Sequence, residues 1–217
     1  MSRLTLHYRR MTMGQYYMPT LIDDNGAISI LYSHDYDNGL KLMEHSYIGN
    51  DFVNAVLTQL WKQPQRLAWI GDYSNDYYGD LYETKLSKSE FMKYYDTVWG
   101  DERNSYQIHP EPKPIITLRH KKRYLVNHTQ RCYIQIGEYI AANKYQEKGL
   151  YRRGKYDAFY TYDMCVHPLP LLTACGNGRG CGDYPDYDEQ IGAWAFDRIE
   201  VTDKCPTGYE KMTYHFA

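Results

Sequence analysis

The sequence predicts an α+β fold, a mainly antiparallel sheet with two or three helices packed on it, in a single domain over residues 1–217. Three observations lead there. Apolar–polar alternation recurs in short runs, two segments carry helical spacing, and one pair of runs is joined by a four-residue turn. A chain of 217 residues and 25.7 kDa is also long enough to bury a core without disulfide or metal staples.

In chain order, RLTLHYR at 3–9 and AISILYSH at 27–34 alternate like strands, with the turn sequence IDDNGA leading into the second. NDFVNAVLTQLW at 50–61 has Phe52, Val53, Val56, Leu57 and Leu60 at helical spacing, Asn50 as its cap and Pro64 to limit it. RLAWIGDY is an apolar run that reads as a buried strand entering a loop. KSEFMKYYDTVW at 88–99 is a second helix, capped by Ser87 or Ser89. RYLVNHTQRCYIQI reads as a hairpin turning at HTQR, and YDAFYTYDMCV, IGAWAFDRIEV and YEKMTYHF supply further strands.

Composition narrows the function classes. The segment MSRLTLHYRRMTMG has no continuous apolar h-region, and no stretch approaches membrane-spanning length. The five cysteines, Cys132, Cys165, Cys175, Cys181 and Cys205, include no CxxC pair and read as free thiols. The expectation is a cytoplasmic protein without a membrane partner. Tyr occurs 25 times against 5 Phe, so many rings must sit at edges and clefts where their hydroxyls reach water.

The net charge of −2 hides a block. Residues 113–155 hold eleven Lys or Arg and only two acids, Glu138 and Glu147, a net +9 that leaves −11 on the remainder. Arg119, Lys121, Lys122 and Arg123 form one basic run, and Arg152 and Arg153 belong to a second, with Tyr124, Tyr133, Tyr139, Tyr145, Tyr151 and Tyr156 interleaved. Cations offset phosphate charge while rings offer stacking faces, which suits a phosphate-rich, partly single-stranded ligand. Pairing with the acidic remainder of the fold explains the same block without a ligand.

Two loops are candidate sites. In ACGNGRGCGDY, glycine recurs at 176, 178, 180 and 182. Gly176 has a structural reading, as the end of a short helix begun at Pro168 or Pro170. The other three are left over. An extended run would give Gly178 and Gly180 a close approach to a ligand and set Asn177, Arg179 and Asp183 on the opposite face, with Arg179 able to clamp a phosphate or carboxylate. In GDYSNDYYGDLYE, Asp72, Ser74, Asp76, Tyr78, Asp80 and Glu83 match calcium-loop ligand spacing, but Tyr77 stands where the sharp turn needs glycine. Asp72, Asp76 and Asp80 therefore remain weak metal candidates, and no cofactor is expected beyond a divalent ion. Among eight histidines, His109, His120 and His128 are possible general bases for which the sequence fixes no partner.

PLPLLTACGNGRGCGDY and RYLVNHTQRCYI resemble stretches of uncharacterised small proteins of bacteriophages and bacterial mobile elements. The resemblance implies no activity, cofactor or catalytic residue. It implies an accessory protein that binds a host or phage component. The expected function is thus a cytosolic accessory binding protein that engages a phosphate-rich ligand, nucleic acid or a nucleic-acid-binding protein through residues 113–155 and the glycine-rich loop 176–184. A metal-dependent hydrolase or nuclease, and an inhibitor of a host defence protein, are the alternatives.

Overall fold

A computed structural model describes residues 15–77, 85–153, 156–176 and 190–216, without the side chains of 76, 77, 150–153 and 156–159. The strands are β1 (Tyr17–Ile22), β2 (Ile28–Ile30), β3 (Gln65–Gly71), β4 (Tyr124–Asn127), β5 (Cys132–Gln135), β6 (Tyr145–Arg153), β7 (Tyr156–Met164), β8 (Ala174–Cys175), β9 (Asp197–Thr202) and β10 (Glu210–Lys211). The helices are α1 (Leu42–His45), α2 (Asp51–Lys62), α3 (Lys88–Trp99), α4 (Ile136–Asn143) and α5 (Pro168–Leu172). A mainly antiparallel eight-stranded sheet runs in the order β10-β5-β4-β9-β3-β1-β2, with β8 added beside β3.

The centre of the sheet is buried on both sides, which is why β1 and β3 are apolar at nearly every position. Tyr17, Leu21, Leu67 and Trp69 face one core with Phe52, Val53, Val56, Leu57 and Leu60 of α2. Met18, Ile22, Ala68 and Ile70 face the other core with Phe91, Tyr94 and Val98 of α3. Both helices begin as their caps dictate: Asn50 Oδ1 accepts the Val53 N–H, and Ser87 with Glu90 forms a reciprocal capping box.

One edge of β3 carries two partners. Gln65–Leu67 pair with antiparallel β9, whereas Trp69 and Ile70 pair with parallel β8. Residues 190–196 wedge between them: Trp194 N bonds Leu172 O at 2.7 Å and Phe196 N bonds Leu67 O at 2.8 Å. Trp194 is fully buried in that wedge.

Several expected elements are shorter than the sequence suggests. The 27–34 run is strand only over Ile28–Ile30 and then turns into a 3-10 helix at Ser33–Tyr36. In IGAWAFDRIEV the strand starts at Asp197, because the preceding residues form the wedge. Five α-helices are present among the described residues, with α1, α4 and α5 of four, eight and five residues added to the two that periodicity marks. The 3–9 run lies outside the described residues. No helix among those described is long and apolar enough to cross a membrane.

Candidate functional site

β6 and β7 pair along nine residues, from Tyr145↔Met164 to Arg153↔Tyr156, and join no other strand among the described residues. The ribbon is rooted in the body by the Tyr47↔Val166 bridge and by Ile48 N donating to Cys165 O at 2.9 Å. Nine extended residues reach roughly 30 Å. Paired residues share a face and alternate residues share a face, so the register places Tyr145, Tyr151, Tyr156, Tyr160 and Tyr162 on the same side. Arg152 falls on the other side, and Arg153 and Tyr156 close the ladder at its far end.

The described rings are open to solvent: Tyr145 is 37% exposed, Tyr160 51% and Tyr162 40%. Tyr160 and Tyr162 stack with centroids 5.5 Å apart at 28°. Gly149 lies directly opposite Tyr160, and a Cβ there would collide with the Tyr160 ring. Glycine thus lets this ring lie flat across the neighbouring strand. At the root, Tyr47 and Tyr145 are neighbours, and partial desolvation with the nearby Glu147 charge raises the pKa of both phenols. Both phenols are therefore neutral at physiological pH. Lys144 is neutralised by Asp163 at 2.9 Å, whereas Lys148 makes no ion pair among the described residues.

The other half of the basic block lies elsewhere. Arg119, Lys121 and Lys122 are exposed on the loop before β4. Arg123 is not free: its guanidinium sits 4.0 Å from the Trp61 ring centroid, and its Nε donates to Ile115 O at 3.2 Å. The loop packs on the first turn of α4, where Gln135 Nε2 donates to Lys121 O and a Cβ on Gly137 would lie 2.6 Å from that oxygen. α4, about 12 Å long, then leads to the root of the ribbon at Tyr145, so one short helix separates the first basic group from the start of the ribbon. Tyr160 and Tyr162 fall beyond residue 155, where the basic block ends, and only the register with β6 brings them into the same surface.

The loop residues Asn177, Gly178, Arg179, Gly180 and Asp183 lie outside the described residues. Gly176 is described, and its expected role is corrected. α5 ends at Leu172 with Thr173 as its cap, and Gly176 follows strand β8. A Cβ on Gly176 would lie 2.5 Å from Gln15 Oε1, and one on Gly71 would also meet the Gln15 amide. Two glycines therefore form the slot that the buried Gln15 side chain fills.

Of the weak metal candidates, Asp80 and the Asp76 side chain lie outside the described residues. Asp72 Oδ1 accepts the Tyr16 backbone N–H at 3.1 Å, fixing the exit of β3 against the start of β1. Burial raises the Asp72 pKa, and that hydrogen bond opposes the shift. Ser74 is fully buried. No group of three His, Cys, Asp or Glu side chains converges as metal ligands among the described residues. The acidic excess is partly gathered in an open concavity lined by Asp35, Asp37, Asp51, Glu111 and His109, where His109 pairs with Asp35 at 2.9 Å.

Comparison with protein-family models, curated proteins and solved structures finds no match to this chain.

Proposed function

We propose that the chain binds single-stranded nucleic acid along the β6–β7 ribbon. The observation that carries this reading is the register that collects five tyrosine positions on one side of a ribbon whose described rings are exposed. Bases stack on aromatic faces for about 1–3 kcal/mol each, and every base has such a face. In a duplex those faces are already covered by neighbouring bases, which favours a single strand. Arg153 adds a cation position on the tyrosine side, Lys148 and Arg152 add cations on the other side of the ribbon, and Arg119, Lys121 and Lys122 add more for a strand that continues past its root. The phage-type likeness adds a setting, a cytosolic accessory protein that occupies host or phage nucleic acid.

The test is the salt dependence of binding to fluorescent oligothymidylate, read by anisotropy. Each lost phosphate contact lowers the log–log slope by about 0.7 for a single strand. R152A/R153A and R119A/K121A/K122A are each expected to flatten it. An unchanged slope in both variants contradicts the reading.

A further inference from the structure

His128, Glu200 and Tyr209 come from three separate stretches and meet at one corner of the sheet. His128 opens the β4–β5 turn, Glu200 lies in β9, and Tyr209 precedes β10. His128 Nε2 is 2.8 Å from Glu200 Oε2, and His128 Nδ1 is 2.9 Å from Tyr209 Oη. A carboxylate only accepts hydrogen bonds, so Nε2 carries the proton toward Glu200. In the neutral imidazole Nδ1 is then the acceptor, and Tyr209 donates its phenolic hydrogen to it. Phenol, imidazole and carboxylate stand in the order of a nucleophile, its base and the group that orients the base.

The corner is accessible, with His128 26% and Glu200 31% exposed. A cation is held beside it. The Arg131 guanidinium carbon lies 5.4 Å from the Tyr209 ring centroid, and Nη2 donates to Gly208 O at 3.3 Å. Arg131 (φ 55°) and Gly208 (φ 74°) both take left-handed backbone conformations at the two bends that meet here. Arg131 makes no ion pair among the described residues, so its charge is available to an anion. A guanidinium matches the paired oxygens of a phosphate.

We propose that Tyr209 is a nucleophile toward phosphodiesters, with His128 as general base, Arg131 receiving the phosphate and Glu200 positioning the imidazole. In the step, Tyr209 Oη attacks phosphorus and its proton passes to His128 Nδ1. The Oη–P bond forms as the bond from phosphorus to the leaving oxygen breaks. The leaving group departs with the bonding pair, and the proton goes from His128 to it or to water. The product is a phosphodiester on Tyr209, and no co-reactant enters the balance. This inference goes beyond the ribbon reading and does not rest on it.

The test uses bis(4-nitrophenyl) phosphate, which carries no base to stack and so reads this site alone. The full chain is expected to release nitrophenolate in a burst stoichiometric with protein. It should gain the mass of one nitrophenyl phosphoryl group, mapping to Tyr209. Tyr209→Phe should lose the burst. His128→Ala should slow it by about 10²–10⁴-fold, with partial recovery on adding imidazole, a rescue that a purely structural histidine would not give. Glu200→Gln should lower the maximal rate and leave the half-saturating ester concentration unchanged. The proposal is overturned if the native chain gains no mass at Tyr209, or if the burst persists in Tyr209→Phe.

Discussion

Asn127 donates to Asp197 across β4 and β9, with Nδ2 2.8 Å from Oδ2 and both residues buried. The same carboxylate takes Gln130 Nε2 at 2.7 Å and pairs with Lys85 at 3.0 Å. Lys85 and Gln130 also donate to Ala193 O, so this centre ties the β4–β5 turn to the wedge that splits the sheet. Removing the acceptor leaves a buried amide and a mostly covered ammonium without their partner. Asp197→Ala is expected to cost about 3 kcal/mol, a fall in Tm of roughly 6–12 °C. Asp197→Asn keeps an acceptor oxygen and should cost less. Calorimetric melts of the two variants check the ranking, and a parent-like Tm for Asp197→Ala contradicts it.

Gly176 is a packing residue in this fold. Gln15 cannot swing freely out of the slot, because its Oε1 also accepts the Tyr17 hydroxyl at 2.8 Å. Gly176→Ala is therefore expected to destabilise by about 1–3 kcal/mol through overpacking. Shortening the intruding side chain removes the collision, so Gly176→Ala with Gln15→Ala should cost less than the sum of the single changes. Additive losses in denaturant melts would show that the slot is not the reason for this glycine.

Two buried histidines make stability depend on pH. Burial pushes His45 down to about 4, partly offset by its bond to Gly39 O, and pushes His167 down to about 3. His45 accepts Trp69 Nε1–H at 3.1 Å, and His167 Nδ1 accepts the Leu169 N–H at 3.1 Å, so each is held neutral. In the unfolded chain both titrate near 6.5 and take up a proton that the folded state refuses. Their contribution is complete above about pH 6.5 and is lost as the pH falls toward 4, at about 1.4 kcal/mol per pH unit for each. His45→Gln should remove roughly half of the histidine-linked slope between pH 6 and 4. An identical slope in this variant counts against the assignment.

The described cysteines differ in reactivity. Cys132, Cys165 and Cys175 are buried and Cys205 is exposed. Burial also raises the thiols of Cys132 and Cys165, to about 11 and about 12, so little thiolate forms there at neutral pH. Native labelling should modify Cys205 quickly and these three only after unfolding. Rapid native labelling of Cys165, read by peptide mass, would contradict the packing around the root of the ribbon.

Where one local signal dominates, the sequence is read residue for residue. The α3 bounds, and the hairpin turning at 128–131, follow from a capping serine, helical spacing and alternation around a polar turn. β1 escapes that reading because it is buried on both faces and carries Pro19, so neither alternation nor strand propensity marks it. β6 escapes for the opposite reason. Its described side chains face solvent on both sides, so no apolar period develops along QEKG. The tyrosines of the candidate site are visible as residue types, but their shared face exists only once β6 and β7 are in register. His128 likewise finds its partners 72 and 81 positions away, beyond the reach of any local motif.

The ribbon's stacking face is tested most directly by the affinity of Tyr160→Ala/Tyr162→Ala for oligothymidylate, measured beside its affinity for inorganic polyphosphate, which has the charge but no bases. Each lost stacking contact should weaken oligothymidylate binding by about 5–150-fold, the equivalent of 1–3 kcal/mol. Polyphosphate binding, carried by the cations, should be unchanged. Parent-like affinity of the double variant for oligothymidylate would contradict the account.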